Sequence, residues 1–278
     1  MANLGFIKQV GVFKWVSRSA MLFTRKRLLK IDTRLRLPSG STIILPRQSA
    51  SASEVYVTNA DIDWGSEALF ARFAAAGRDF LDIGAHVGYY SVYLSPLVRR
   101  AYAFEPDPRN IENLRANARL AGNVEVVEKA VSSRDGFARL NVGHGSAVSS
   151  LEGGRDGGEG IEVKTVTIDS FAASRPGIDV GLIKTDVEGH DLEALRGMSE
   201  LVARCQPLIL TECPYTPQLD ELFRNWGYQP YAFTRDRRTL KARFQKMSSE
   251  DLRDEWYKML FLVPSHLGSE ITRLANHS

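Results

Sequence analysis

Apolar and polar positions alternate along the chain in a way that predicts strands separated by helices. Short apolar runs are typical of strands buried on both faces, and the segments between them carry apolar residues at helical spacing. The predicted strands are FLDI from Phe80, RAYAFE from Arg100, VEVVEKAV from Val124, VGLIKTD from Val180, PLILTE from Pro207, YQPYAFT from Tyr228 and YKMLFLVPS from Tyr257. The predicted helices cover residues 66–76, 89–96, 109–120, 191–196 and 219–226. This order favours an α/β fold with a doubly wound parallel sheet.

Three segments fall outside this alternation. Residues 1–30 mix apolar and basic side chains, which predicts an amphipathic helix that either covers part of the domain or lies on a membrane surface. Residues 35–45 predict two short strands around a Pro-Ser-Gly turn. We therefore place an N-terminal extension of helix and short strands at residues 1–60 and the main domain at 61–278. Residues 143–160 are rich in Gly and Ser and predict a mobile loop.

The composition is that of a soluble globular protein. Of its 278 residues 44% are hydrophobic and 25% charged, and the net charge of +3 gives no reason to expect a nucleic-acid partner. Cys205 and Cys213 are the two cysteines, too few for a disulfide framework, which fits a reducing, cytoplasmic location. No run approaches the roughly 18 apolar residues of a membrane span. Contact with a membrane through the N-terminal segment stays open, as does the oligomeric state.

Four acidic residues stand at the carboxyl ends of predicted strands. They are Asp82, Glu105, Asp186 and Glu212. Parallel sheets bind ligands at this edge, where the strand order reverses. Four carboxylates on one rim indicate a single site.

The turn after the first of these strands, DFLDIGAHVGYY, resembles a dinucleotide loop with one glycine missing. His86 stands where the second glycine would let a pyrophosphate approach, and Asp82 would repel that group. The turn therefore suits a positively charged ligand without phosphate, such as S-adenosylmethionine. Glu105 lies 21 positions after Gly84, about where such a sheet places the acid that accepts from ribose hydroxyls.

Several motifs occur in an order and spacing that resemble the FkbM family of S-adenosylmethionine-dependent methyltransferases. They are DFLDIGAHVGYYSVYL, AYAFEPDPRNIENLRANARLAG, VEVVEKAVSSRDG, VKTVTIDSF, LIKTDVEGHDLEALRGM and PLILTEC. The resemblance implies a class I methyltransferase (Rossmann-like) fold, which is a seven-stranded sheet with an antiparallel last strand. It also implies S-adenosylmethionine as the cofactor.

The resemblance further implies roles for individual residues. The expected cofactor contacts are Asp82, Gly84, Ala85, His86 and Gly88 at the methionine end, Glu105 and Pro106 at the ribose, Ala130 and Val131 beside the adenine, and Asp186 facing the sulfonium or the acceptor. The family commonly carries Asn at the position of His86.

The expected reaction is methylation of a hydroxyl group on a sugar, a glycolipid or a secondary metabolite, with a small molecule or a glycan as the acceptor. A hydroxyl acceptor benefits from a nearby base, and the candidates are Asp186, His190 and Glu212. Carboxylates at strand ends hold Mg²⁺ in some enzymes, but His and Cys show no ligand spacing, so no metal is expected. The alternatives are an N-methylating enzyme, a non-catalytic protein on the same fold and a nucleotide-dependent oxidoreductase.

Overall fold

The computed structural model describes residues 10–142, 149–150, 160–239, 241–248 and 255–276. The helices are α1 (Val12–Phe23, continued by a π-helical turn at Thr24–Leu29), α2 (Ala50–Thr58), α3 (Ser66–Arg72), α4 (Tyr89–Leu94, followed by a 3₁₀ turn at Ser95–Leu97), α5 (Pro108–Ala121), α6 (Ile168–Ala173), α7 (Asp191–Arg196), α8 (Ser199–Cys205), α9 (Pro217–Asn225) and α10 (Gly268–Ala275, after a 3₁₀ turn at Ser265–Leu267). The strands are β1 (Thr33–Arg36), β2 (Thr42–Leu45), β3 (Asp79–Ile83), β4 (Ala101–Phe104), β5 (Val124–Val127), β6 (Ala130–Val131), β7 (Gly136–Val142), β8 (Ser149–Ser150), β9 (Gly160–Val166), β10 (Val180–Thr185), β11 (Leu208–Thr211), β12 (Gln229–Asp236), β13 (Ala242–Lys246) and β14 (Glu255–Val263).

In the part of the chain that the structure describes, the central sheet has the strand order β13-β12-β14-β11-β10-β3-β4-β5. The run from β5 to β11 is parallel, and β14 lies antiparallel between β11 and β12. This confirms the doubly wound sheet with an antiparallel last strand. The expected number of seven strands is wrong by one, because β13 adds an edge strand to β12. Phe244 is the one buried residue of β13, so the strand carries too weak an apolar signal to be predicted.

Successive residues of the central strands pack on opposite faces of the sheet, as the alternation of side chains along a strand requires. Phe80 and Leu182 belong to one hydrophobic cluster, while Leu81 and Ile183 belong to another. The first cluster also contains Leu22, Leu35, Ile43 and Leu45 from the N-terminal extension. The extension therefore covers one face of the sheet. Whether residue 60 is a domain boundary stays a prediction.

A smaller sheet with the order β6-β9-β7-β8 follows the first three central strands. Residues 124–131 were expected to form one strand, but the chain leaves the central sheet after Val127 and β6 pairs with β9 instead. Of the expected loop at residues 143–160, Ser149–Ser150 pair with β7 and Gly160 begins β9. The remainder of that segment lies outside the described residues.

The register of the parallel strands determines where the site lies. Ile83 pairs with both Phe104 and Thr185, and Thr185 also pairs with Thr211. The residues that follow these four strand ends therefore leave the sheet side by side. They are Gly84, Glu105, Asp186 and Glu212.

No helix among the described residues is long and apolar enough to span a bilayer.

Candidate active site

A cavity of about 340 Å³ opens at this edge of the sheet. Its walls are formed by Ser51, Glu54, Ile62, Asp63, Gly84, His86, Phe104, Glu105, Pro106, Asn110, Lys129, Ala130, Val131, Leu140, Asp186, Val187, Glu188, Glu212 and Lys258. A smaller cavity of about 120 Å³ shares part of these walls and is also lined by Asp82, Ala85 and Lys184. Three of the four rim acids thus face the larger cavity, and Asp82 lines the smaller one. Gly88 lines neither of these two cavities.

Gly84 is required by the protein's own packing, and both Gly84 and Gly88 have a left-handed backbone conformation. Gly84 has a φ of +77°, and a Cβ atom there would lie 1.9 Å from the backbone oxygen of Asp186. Gly88 has a φ of +88°, and its Cβ would lie 2.8 Å from Leu114. From the sequence, the glycines of this turn were expected to make room for a ligand. The group that approaches Gly84 most closely is the backbone that follows β10.

His86 occupies the left-handed region of backbone conformation, with a φ of 53°. Among residues with a side chain, Asn, Asp and His tolerate this region best. Its backbone N–H donates to Glu105 Oε2 at 2.8 Å, and its Nδ1 lies 3.5 Å from Ser51 Oγ. Burial, together with the charge of Lys184, lowers the pKa of His86 to about 4, so the imidazole is neutral at physiological pH.

Glu105 is a buried carboxylate on the wall of the cavity. Its Oε2 accepts from the His86 N–H, and its Oε1 accepts from the Asp107 N–H at 2.8 Å and from Asn110 Nδ2 at 3.4 Å. Two carboxylate oxygens offer about four acceptor positions, so a ligand can still donate to this group. Burial raises the pKa of Glu105 to about 7, although the backbone donors oppose the shift.

The wall beside Glu105 is largely apolar. Phe104, Pro106, Ala130, Val131 and Leu140 contribute to it. Ala130 and Val131 form β6, which the smaller sheet holds through its pairing with Thr165 and Val166. This wall can accept a flat aromatic ring, as expected for residues beside an adenine.

Asp82 does not face the larger cavity. Its side chain is fully buried, and its Oδ2 accepts from the backbone N–H of Ser91 at 2.8 Å and from the Ser91 hydroxyl at 2.5 Å. Asp82 Oδ1 lies 3.9 Å from Lys184 Nζ. Burial raises the pKa of Asp82, while Lys184 and Ser91 oppose the shift. In this structure Asp82 ties β3 to the start of α4.

Lys184 is a buried cation that the sequence analysis missed. Its Nζ donates to Asp186 Oδ2 at 3.1 Å and to the Gly84 carbonyl at 3.2 Å. Burial acts to lower the pKa of Lys184, but Asp186 and Asp82 outweigh it and raise the pKa, so the amine stays charged. A lysine inside the apolar run VGLIKTD was the available signal, because a buried lysine requires nearby carboxylates.

Glu212 and Asp186 form a carboxylic acid and carboxylate pair on the cavity wall. Burial and the hydrogen bond with Asp186 raise the pKa of Glu212 to about 9, so Glu212 is protonated and donates to Asp186. Burial alone would raise the pKa of Asp186, but Lys184 and Glu212 lower it. Asp186 is therefore ionised, and its side chain is 33% exposed.

His190, the third expected base, does not line the cavity. It precedes α7, and its Nε2 lies 3.0 Å from Ser132 Oγ. Glu188 and Gly189 both have a positive φ, of 51° and 92°, so the chain reverses before it reaches His190. The base role of His190 stays a prediction that the geometry does not favour.

Two further acids lie on another side of the cavity. Asp63 precedes α3, and Glu67 belongs to α3. Asp63 lines the cavity, and its Oδ2 accepts from the Tyr90 hydroxyl at 2.7 Å. Behind it, Glu67 Oε1 accepts from the backbone N–H of Ile62 and of Asp63, at 2.6 and 3.0 Å, and from the Tyr89 hydroxyl at 3.2 Å. Burial, with the charge of Asp63, raises the pKa of Glu67 to about 8. Neither Asp63 nor Glu67 stands at the end of a parallel strand, so the pattern of acids at strand ends does not predict them.

Comparisons with known proteins identify the family of the chain. A family model described as the methyltransferase FkbM domain matches residues 82–230. The chain belongs to the FkbM methyltransferase family. In sequence it is similar to the hexuronic acid methyltransferase AglP of Haloferax volcanii, with 29% identity over 123 residues, which cover 42% of this chain and 48% of that protein. It is also similar to the 31-O-demethyl-FK506 methyltransferase FkbM of Streptomyces tacrolimicus, with 26% identity over 204 residues, 60% of this chain and 75% of that protein. The chain thus spans about half of the AglP relative.

Two solved structures are similar in fold. One is a methyltransferase FkbM from Methylobacillus flagellatus KT, with 15% identity, a TM-score of 0.41 and coverage of 76% of this chain and 52% of that one. The other is the precorrin-6y C5,15-methyltransferase from Geobacter metallireducens GS-15, with 16% identity, a TM-score of 0.41 and coverage of 72% and 87%.

Five residues of the cavity wall lie outside the region that the family model matches. They are Ser51 and Glu54 on α2, Ile62 and Asp63 before α3, and Lys258 on β14. Lys258 also donates to the Ile62 carbonyl at 2.6 Å. The remaining wall residues fall inside the match.

Proposed function

We propose that this protein transfers a methyl group from S-adenosylmethionine to a hydroxyl group of a sugar-containing molecule or a secondary metabolite. The observation that carries this proposal is the ionised Asp186 on the cavity wall, held between the Lys184 ammonium and the protonated Glu212. The Asp186 carboxylate supplies both a fixed negative charge and a proton acceptor. It lies where the ends of the parallel strands meet.

The residues present fit the proposed methyl donor. S-adenosylmethionine carries a sulfonium, an ammonium and a ribose with two free hydroxyls. The cavity wall offers the Asp186 carboxylate for positive charge and Glu105, with about one acceptor position still open, for a ribose hydroxyl. The apolar wall formed with Ala130 and Val131 suits the adenine. His86 places an imidazole on the cavity wall where a dinucleotide loop carries its second glycine, which argues against a pyrophosphate at this turn.

When bound, S-adenosylmethionine supplies a methyl group that its sulfonium has already activated. The protein's main contribution is to align the acceptor oxygen with that group, a gain of up to about 7–11 kcal/mol in ideal cases. Asp186 accepts the hydrogen bond of the acceptor hydroxyl. Asp186 would take the proton that this hydroxyl loses on methylation. Such a base contributes roughly 10²–10⁴-fold to the rate.

The charge of the outer wall favours an uncharged, hydroxyl-bearing acceptor. Glu54, Asp63 and Glu188 face the cavity there, against the two amines of Lys129 and Lys258. The names of the relatives point to acceptors of related chemistry, a hexuronic acid in one case and a 31-O-demethyl compound in the other. An acid-lined wall suits a neutral sugar hydroxyl better than a carboxylate, because like charges repel at close range.

The proposal is tested in two steps. Calorimetry with S-adenosylmethionine and with NAD should show binding of the first alone, and binding of NAD instead would indicate an oxidoreductase. A labelled-methyl assay against sugars, glycolipids and hydroxylated metabolites, with the product located by NMR, should then place the label on oxygen. Label on nitrogen would indicate an N-methylating enzyme. Cofactor binding without transfer to any acceptor in the panel would favour a non-catalytic protein.

A further inference from the structure

The N-terminal helix has an apolar side that faces solvent. Phe13 is 86% exposed, Val16 51%, Phe23 60% and Leu28 69%. Single exposed apolar residues are common on protein surfaces, but a contiguous set on one element indicates a contact surface. We call these four residues the exposed stripe.

The helical geometry brings the exposed stripe to one side of the segment. Phe13, Val16 and Phe23 fall within about 80° of one another at 100° per residue. The π-helical turn at Thr24–Leu29 hydrogen-bonds i→i+5 and so holds more residues per turn than an α-helix, which brings Leu28 near the side of Phe23. The stripe therefore continues from α1 into the turn, over a length of about 24 Å.

The opposite side of α1 is attached to the body of the protein. Leu22 is buried in the main hydrophobic cluster, and Arg18 Nε donates to the Tyr56 carbonyl at 2.7 Å. Lys26 Nζ donates to the Ser49 carbonyl at 2.9 Å. These contacts hold α1 against α2, so the exposed stripe belongs to a segment with a fixed orientation.

The charge of this segment is strongly one-sided. Residues 1–31 contain seven Lys and Arg and no Asp or Glu, while the whole chain has a net charge of only +3. The remainder of the chain is therefore net negative, and three of the seven bases are exposed on the described part of this segment. Lys14, Arg27 and Lys30 are exposed there. Apolar side chains flanked by bases are the pattern of helices that lie in the interface of an anionic membrane.

We propose that the exposed stripe docks on an anionic membrane surface, with α1 lying in the plane of the interface. The apolar side chains enter the boundary between headgroups and acyl chains, and the flanking bases contact the acidic headgroups. This surface is separate from the cavity, but α2 connects the two. Its Ser49 and Tyr56 hold α1, while its Ser51 and Glu54 line the cavity.

The test uses the full chain and co-sedimentation with vesicles of phosphatidylcholine alone or with 30% phosphatidylserine. The wild-type protein should bind the anionic vesicles at least tenfold more tightly, and added salt should weaken that binding. Phe13→Ser with Phe23→Ser should lower the affinity at least tenfold. The matched control is Phe137→Ser on β7, which is 65% exposed and lies far along the chain from the stripe. This control should bind like the wild type.

The contribution of charge is tested separately with Lys14, Arg27 and Lys30 all changed to Gln. Each base near an anionic surface strengthens binding about fivefold, so a large loss is expected. Arg119, Arg238 and Lys241, also exposed, are changed to Gln as the control and should have little effect. Equal unfolding temperatures would show that all variants are folded, since the altered side chains are exposed.

Two results would overturn the proposal. One is wild-type binding that is absent or equal for neutral and anionic vesicles. The other is a dimer in light scattering that Phe13→Ser with Phe23→Ser converts to a monomer, which would assign the stripe to a second copy of the chain.

Discussion

The backbone oxygen of Asp186 lies against Gly84, so close that a Cβ atom on Gly84 would stand 1.9 Å from it. Two neighbouring parallel strands, β3 and β10, thus meet without a side chain between them where the site begins. This contact brings the Lys184 amine within 3.2 Å of the Gly84 carbonyl. The glycine of the turn therefore positions the charged groups of the site.

Gly84→Ala should destabilise the protein strongly. The new methyl group must displace the Asp186 backbone, and the left-handed conformation adds about 1 kcal/mol of strain. Urea denaturation should show a loss well above that strain. Gly122→Ala is the control, because Gly122 has a similar φ of +86° with nothing within 4 Å of the added Cβ. Equal losses in the two variants would contradict the packing role of Gly84.

Glu105→Gln should weaken binding of S-adenosylmethionine by roughly 10–100-fold, since a hydrogen bond to a charged group contributes about 1.5–3 kcal/mol. Because the pKa of Glu105 is raised to about 7, the wild-type affinity should increase as the pH rises from 6 to 8 and the carboxyl ionises. Calorimetry across this range measures both effects. The affinity of Glu105→Gln should not rise with pH. The control Glu112→Gln, at an exposed position on α5, should show the same rise as the wild type. An unchanged affinity in Glu105→Gln would remove this residue from the cofactor site.

Asp186→Asn should lower turnover by roughly 10²–10⁴-fold, because the amide cannot take the hydroxyl proton. The variant should still fold, because two partners of the buried Lys184 amine remain. They are the Asp82 carboxylate at 3.9 Å and the Gly84 carbonyl. Single-turnover rates together with the dissociation constant of the methyl donor separate the two effects. If donor affinity falls as much as turnover, Asp186 serves the cofactor more than the acceptor.

Glu67→Gln should stabilise the protein at alkaline pH. The pKa of Glu67 is raised from 4.5 to about 8 by burial, so between these values the folded state keeps a proton that the unfolded chain has released. Stability contributed by this group is therefore lost as the pH rises through that window. Above it, the neutral glutamine should gain at most about 5 kcal/mol over the wild type.

Urea denaturation at pH 5 and at pH 9 measures this effect, with the exposed Glu221→Gln as the reference for removal of a surface carboxyl. A gain that is equal at both pH values would argue against a buried, protonated Glu67.

The sequence predicts much of the central sheet because its strands are short apolar runs that end in acids. Glu105, Asp186 and Glu212 could be placed on one rim, since the carboxyl ends of parallel strands share an edge. β13 could not be predicted, because its single buried residue, Phe244, gives no apolar pattern.

The site itself was harder to predict than the sheet. The apolar run VGLIKTD hints that Lys184 is buried, but its partner Asp82 belongs to another strand and the pairing cannot be seen in a local pattern. Asp63 reaches the cavity through a loop whose position is held by Glu67 and Tyr90. His190 stood near a strand end in the sequence, but the turn at Glu188 directs it to Ser132. Each of these placements depends on contacts between distant parts of the chain, which a local pattern does not contain.

The cavity wall is built from two separate parts of the chain. The Glu105 and Asp186 side lies within the matched residues 82–230, whereas Ser51, Glu54 and Asp63 come from the segment before it. An exchange of that segment would leave the sequence of the strand ends unchanged, provided that the buried Ala52 and Val55 are retained. If the proposed function holds, we expect a chimera that carries residues 48–65 of another family member to bind the same methyl donor and to act on different acceptors.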